Sequence, residues 1–303
     1  MKEFMLDKKM NLLIAYPYFK KDLPTWLRLF DELDPNDFRL IIDSGAFSAY
    51  NSGHEVTLDG YCEFLKAIRY ERFERAVQLD VVFNPEETQK NLARMRDMGF
   101  DVSPVFMRGD DFEYFDQLLE DDQYVFVGGV QSQGRGNTEP MRFAKACMER
   151  YHGKKVHYLA FIRSDFLIYY KPYSVDASTW SASAQFGLLK VYDGKGRIIS
   201  LKRNHFNTFP KPEHLKMLQN LKLEMSEIRE LQKMDKWRNK GLSRLDNPDR
   251  FTGNIFYSIC SYLHYSIDAQ NKIGTRIYSA ISKVGELDLF IHAHRHLKER
   301  KII

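Results

Sequence analysis

A chain of 303 residues, 44% hydrophobic and 14% aromatic, can bury a sizeable core as one large domain or one domain with an appendage. No stretch approaches the roughly 18–20 uncharged apolar residues of a membrane span. Met1–Met10 carries charges of both signs without an apolar signal core, so a cytoplasmic protein is expected.

The net charge of +4 is unevenly spread. Residues 190–303 hold 22 Lys and Arg against 12 Asp and Glu, or +10, while residues 1–189 hold 23 against 29, or −6. A basic C-terminal third suits a polyanion partner contacted from one side, or an ordinary solvated helical face. Cys62, Cys147 and Cys260 lie far apart and suggest neither a disulfide framework nor a zinc ribbon; they read as buried thiols.

Along the chain, β-rich apolar runs occur at Asn11–Tyr18, Arg39–Phe47, Arg75–Phe83, Val102–Met107, Tyr124–Val130, Val156–Phe161 and Tyr173–Asp176. Helical patterns separate them. The clearest is Asn84–Met98, with an Asn cap, Pro85 in the first position and Glu86–Glu87 in the first turn. Short buried strands alternating with helices read as βαβ units on a parallel sheet. Seven strands before residue 180 predict an α/β fold, a (β/α)8 TIM-type barrel with a basic, mainly helical C-terminal region. An open doubly wound sheet is the alternative. Residues Gly187–Leu201 form two apolar runs joined by Asp193-Gly194-Lys195-Gly196, a hairpin signal. Charged helical patterns follow at about 211–240 and 250–283, then a His-rich tail read as solvated. The division expected is a barrel body over 1–205 and a helical basic region over 206–303 that completes or flanks it, with the eighth strand unplaced.

The active site of such a barrel lies at the C-terminal ends of its strands. Three aspartates interrupt apolar runs there: Asp43 in Leu40-Ile-Ile-Asp43, Asp80 in Val77-Gln-Leu-Asp80, and Asp176 in Ser174-Val-Asp176. Burying a carboxylate is costly unless it is hydrogen-bonded or used, and three at one end of a sheet predict a shared acidic pocket. Ser44-Gly45-Ala46 offers backbone N–H groups beside Asp43. Gly128, Gly129 and Val130 mark a strand end where a ligand could approach the backbone, or simply a tight turn.

Asp43-Ser-Gly-Ala-Phe-Ser48 resembles the Asp-Ser-Gly-Gly-Phe-Gln signature of tRNA-guanine transglycosylases. Asp80, the Gly128-Gly129 strand end and Asp176 follow in that family's order. The segment Ser174-Val-Asp-Ala-Ser-Thr-Trp-Ser181 is similar to the deoxypurine-in-DNA protein A group, relatives found in phages and bacterial DNA-modification islands. The resemblance covers roughly residues 10–205. It implies that Asp176 is the nucleophile and Asp43 the acid and base. It implies further that Asp80 accepts from the amidine edge of guanine while Ser44, Gly45, Gly128, Gly129 and Val130 hold the base. An aromatic such as Phe47 or Phe106 could stack on it, or serve only as core.

The sequence also departs from the family. Ala46 and Ser48 replace a Gly and a Gln, and Pro104–Gly109 lacks the usual recognition Gln. No Cys-x-Cys-x-x-Cys…His zinc site exists, and His292, His294 and His296 have no nearby Cys, so no metal and no other cofactor is expected. The missing zinc site, together with the Val175-Asp-Ala-Ser-Thr-Trp180 segment, shifts the expected substrate from tRNA to DNA, with a free 7-deazaguanine such as 7-cyano-7-deazaguanine as the incoming base. Lys202, Arg203, His205, Lys211, Lys236, Arg238 and Lys240 are the candidate phosphate contacts. Competing readings are the same reaction on tRNA, a nucleic-acid-binding barrel without catalysis, and a barrel hydrolase or lyase acting on a small nucleoside.

Overall fold

The computed structural model describes residues 6–20, 22–82, 84–130, 138–150, 153–181, 183, 186–202, 204, 211–233 and 253–303. Its strands, in chain order, are β1 (Met10–Ala15), β2 (Phe38–Asp43), β3 (Arg75–Ala76), β4 (Val105–Met107), β5 (Tyr124–Gly128), β6 (Lys155–Tyr158), β7 (Ser174–Ala177), β8 (Leu188–Tyr192), β9 (Ile198–Lys202) and β10 (Arg276–Ile281). Helices α1 (Tyr16–Phe19), α2 (Leu23–Glu32), α3 (Ala46–Ser52), α4 (Leu58–Ala67), α5 (Pro85–Asp97), α6 (Phe112–Asp121), α7 (Glu139–Glu149) and α8 (Ser164–Tyr170) alternate with the first seven strands.

The chain divides into two compact units. One comprises Asn11–Ala177 with Thr275–Ser282, the other Met1–Met10, Ser178–Gly274 and Lys283–Ile303. The first is a mixed α/β, TIM-like unit built on one eight-stranded parallel sheet in the order β3-β2-β1-β10-β7-β6-β5-β4. The sheet is curled, and among the described residues a single bridge joins the residue after β3 to the segment before β4. Val77 and Ser103 form a parallel bridge, where Gln78 N–H donates to the Ser103 carbonyl at 3.0 Å and Ser103 N–H to that of Ala76 at 2.9 Å.

Alternation along each strand sends every second side chain inward. Leu13, Ile41, Val77, Val105, Tyr124, Phe126 and Tyr278 fill the interior. By the same alternation Asp43, two residues after Ile41, and Asp176, two after Ser174, continue the inward rows at the strand ends. Helix α5 starts as its sequence dictates: Asn84 Oδ1 accepts from Glu87 N–H at 3.1 Å, and Pro85 occupies the first turn.

The eighth strand is β10. It lies within the stretch read from sequence as a continuous helical pattern over 250–283, and it pairs with both β1 and β7. The run Arg276-Ile-Tyr-Ser-Ala-Ile281 is short and β-rich, but it directly follows a long apolar helix whose periodicity masks the change.

The second unit contains the expected hairpin, β8 paired antiparallel with β9. It also contains α9 (Pro212–Gln219), α10 (Met225–Lys233), α11 (Asn254–Ile273) and α12 (Val284–Glu299). The hairpin is tied to α11, because Asn254 Nδ2 donates to the Leu188 carbonyl at 2.8 Å and Lys190 N–H donates to Ser258 Oγ at 2.8 Å. Arg300 grips Glu227 with two 2.9 Å hydrogen bonds, and Tyr257 donates to the same carboxylate at 2.8 Å. The His-rich segment is not a solvated tail. It belongs to α12, with His294 buried against the Lys8 carbonyl at 2.6 Å and His296 packed on Phe256. The three cysteines are free and buried. Among the described residues no helix is long and apolar enough to cross a membrane.

Candidate active site at the strand ends of the parallel sheet

Asp43 ends β2, and the two residues after it decide its setting. Gly45 sits at φ 74° in the left-handed region, and a Cβ there would collide with the Pro17 ring, so a tight glycine turn is required. That turn aims the Gly45 N–H back at Asp43 Oδ2, 2.9 Å away. Burial, together with the nearby carboxylates of Asp80 and Asp176, pushes the Asp43 carboxyl up to about 7, against the backbone hydrogen bonds that favour its charged form.

Asp80 lies four residues past Ala76, the end of β3, and is buried. Ser44 Oγ donates to its Oδ1 at 2.8 Å while accepting from Ala46 N–H at 3.3 Å. Burial raises the Asp80 carboxyl above the ordinary range, and the Ser44 hydrogen bond opposes it. Tyr61, on α4, donates to the Val77 carbonyl at 2.8 Å. Its phenol is pushed well up by burial and then by the charges of Asp43 and Asp80.

Asp176, on β7, is buried and differently held. Its Oδ1 accepts from Ala160 N–H at 2.7 Å and lies 3.1 Å from His157 Nε2. Ala160 adopts φ 52°, a left-handed conformation that a non-glycine residue enters at a cost of about 1–2 kcal/mol. This strain puts the amide where the carboxylate needs it.

The charges of both Asp80 and Asp176 reach Asp43, so the three strand-end carboxyls influence one another. A cavity of about 460 Å³ opens beside Asp80, lined among others by Tyr50, His54, Thr57, Asn91 and Arg94, while Asp43 and Asp176 are not among its lining residues. That volume is in the range of small-molecule sites. Among the described residues no group of three or more His, Cys, Asp or Glu side chains is spaced to hold a metal ion.

Other sequence-derived candidates are placed less simply. At Gly128 the space of a side chain is filled by Met107, and at Gly129, φ 74°, by Arg108, so local packing and the turn already account for both glycines. Val130 is fully buried as a core residue. Phe106 is not available to stack on a ligand: it is fully buried and packs against Phe115 with centroids 4.5 Å apart. Phe47, by contrast, is 41% exposed on α3. Lys202 and Lys211 are exposed on the second unit. Arg203, His205, Lys236, Arg238 and Lys240 lie outside the described residues.

Sequence reading missed His157 and Ala160. A histidine inside Lys155-Val-His-Tyr158 was a usable signal, because it breaks an apolar strand just as the aspartates do. No family model, no curated protein and no solved structure matches the chain.

Proposed function

We propose that the chain is a guanine transglycosylase. It would replace guanine in DNA by a free 7-deazaguanine base through a glycosyl–aspartate intermediate on a TIM-type barrel. The observation that carries this reading is the contrast between two neighbouring carboxyls. Asp43 keeps its proton up to about pH 7, while Asp176 is tethered through one oxygen by two nitrogens. Paired carboxyls in opposed environments suit an acid and a nucleophile.

In the first step an Asp176 oxygen attacks C1′ of the target nucleoside. The C1′–N9 bond breaks, its electron pair goes to the purine, and the purine takes the Asp43 proton. Guanine then leaves. The incoming 7-deazaguanine gives its N9 proton to the Asp43 carboxylate and attacks C1′, releasing Asp176. Two inversions restore the original configuration. Asp80, buried beside Ser44, would accept the adjacent N–H donors of guanine; those donors favour its charged form, and a base lacking them leaves a buried acceptor unpaired. A base in duplex DNA must first be extruded, at a few kcal/mol. Lys202 and Lys211 are the described candidates for phosphate contacts, which position a strand without reading its sequence.

The test is incorporation of radiolabelled guanine into duplex DNA and unmodified tRNA, run beside Asp176→Ala. Label entering DNA and lost in the variant supports the proposal. Label entering tRNA keeps the mechanism and changes the polymer. No incorporation and no covalent protein–DNA adduct, with 7-cyano-7-deazaguanine supplied, would sink the enzyme reading in favour of a binding barrel.

A further inference from the structure

Beneath Asp176 the interior of the parallel sheet is threaded by polar groups rather than closed by aliphatic ones. His157 on β6 sits in register beside Ser174 on β7. Its Nδ1 lies 2.8 Å from Ser174 Oγ, which lies 2.7 Å from the Tyr124 hydroxyl on β5. Its Nε2 lies 3.1 Å from Asp176 Oδ1. All four side chains are buried, and the imidazole packs against the rings of Phe126 and Tyr278.

Hydrogen-bond accounting gives the chain one direction. The Tyr124 phenol stays protonated, since burial raises it far beyond its ordinary value. Among the described residues its only acceptor is Ser174 Oγ. Ser174, having accepted, donates to His157 Nδ1. The remaining imidazole hydrogen therefore sits on Nε2 and points at the carboxylate, which can only accept. The opposite tautomer would leave either the phenol or the Ser174 hydroxyl hydrogen buried without an acceptor and would turn an Nε2 lone pair toward the carboxylate.

From this geometry we infer that His157, fixed as its Nε2–H tautomer by Ser174 and Tyr124, is a positioning residue that orients Asp176 for attack. The inference rests on the base-exchange reading for its kinetic consequence. With Oδ1 occupied by His157 Nε2–H and Ala160 N–H, Oδ2 has no hydrogen bond among the described residues and is the oxygen left to form the bond to C1′. A carboxylate held by two donors cannot swing between rotamers, and loss of about 1 Å of such placement costs on the order of 100-fold in rate.

The test has two parts, one independent of activity. Long-range proton–nitrogen NMR on the full chain with 15N-labelled histidine should show His157 protonated at Nε2, and Ser174→Ala should loosen that preference. An Nδ1-protonated His157 overturns the inference. In the exchange assay His157→Leu should lower kcat about 10–100-fold with KM little changed. His157→Gln, whose amide can still donate, should recover most of the loss. Ser174→Ala, which spares the ring packing, should give an intermediate kcat and guards against a His157→Leu chain that fails to fold. Unchanged kcat in His157→Leu and Ser174→Ala overturns the inference while leaving base exchange intact. If the wild-type chain exchanges no base, the functional reading fails, and the tautomer still decides whether the chain of donors exists.

Discussion

The ends of β2 and β7 carry the same side chain in opposite circumstances. Burial and two neighbouring carboxylates hold the Asp43 proton to about pH 7, against a main-chain hydrogen bond from a glycine turn that favours the charged form. Asp176 rests on a buried imidazole and a strained alanine amide, both aimed at one oxygen. A carboxyl's chemical role is set by what lies behind it in the fold, and a strand-terminal aspartate has no role by virtue of position alone.

The largest effect that could break this comparison is at Asp176. Asp176→Asn keeps the hydrogen-bonding shape but removes the nucleophile, and exchange should fall at least about 10³-fold with no covalent adduct by mass spectrometry. An active Asp176→Asn protein would remove β7 from the chemistry. Asp43→Asn comes next, with a loss of about 10²–10⁴-fold in kcat. In the wild type, steps that need the Asp43 proton should weaken as pH rises through about 7, and that limb should vanish in the variant.

Stability gives a sign test of the same residue. A carboxyl raised in the folded state contributes fully below its ordinary range, and that contribution is lost as pH rises through about 7. Asp43→Asn should therefore unfold at higher temperature than wild type at pH 8, by roughly 2–4 kcal/mol of stability, with the advantage gone near pH 4. An equal gain at both pH values would mean that desolvation of the charge is not the cause. Gly45→Ala should cost about 1–3 kcal/mol in chemical denaturation, because it needs φ 74° and meets Pro17. At the other end Ala160→Gly should stabilise by about 1 kcal/mol while leaving the Asp176 contact in place. A destabilised Ala160→Gly chain would show that the left-handed turn is not strained.

Much of the fold was readable in advance. Apolar runs bounded by turn residues mark the first seven strands, and the Asn84 cap, Pro85 and acidic first turn mark α5. Three of the site's carboxyls announced themselves by interrupting those runs. Three features stayed hidden. β10 lies next to the apolar α11, so its short period-2 pattern is swamped by a 3.6-residue one. His292, His294 and His296 read as a solvated tail, yet His294 on α12 is buried and hydrogen-bonded to a carbonyl 286 positions away in sequence. At Gly128 and Gly129 neighbours in β4 and its following turn fill the space a side chain would need, a packing reason for glycine that no local pattern carries.

By itself the sequence determined the alternation of strand and helix, the inward rows that end in Asp43 and Asp176, and the glycine turn after Asp43. All of these are local, set by side-chain period, caps and backbone permissiveness. Only the tertiary structure decided which strand completes the sheet, that His157 stands behind Asp176, and that Asp43 holds its proton to about 7. Those outcomes depend on register between strands distant in sequence and on how much water the packed chain excludes, and neither quantity is carried by any short run of residues.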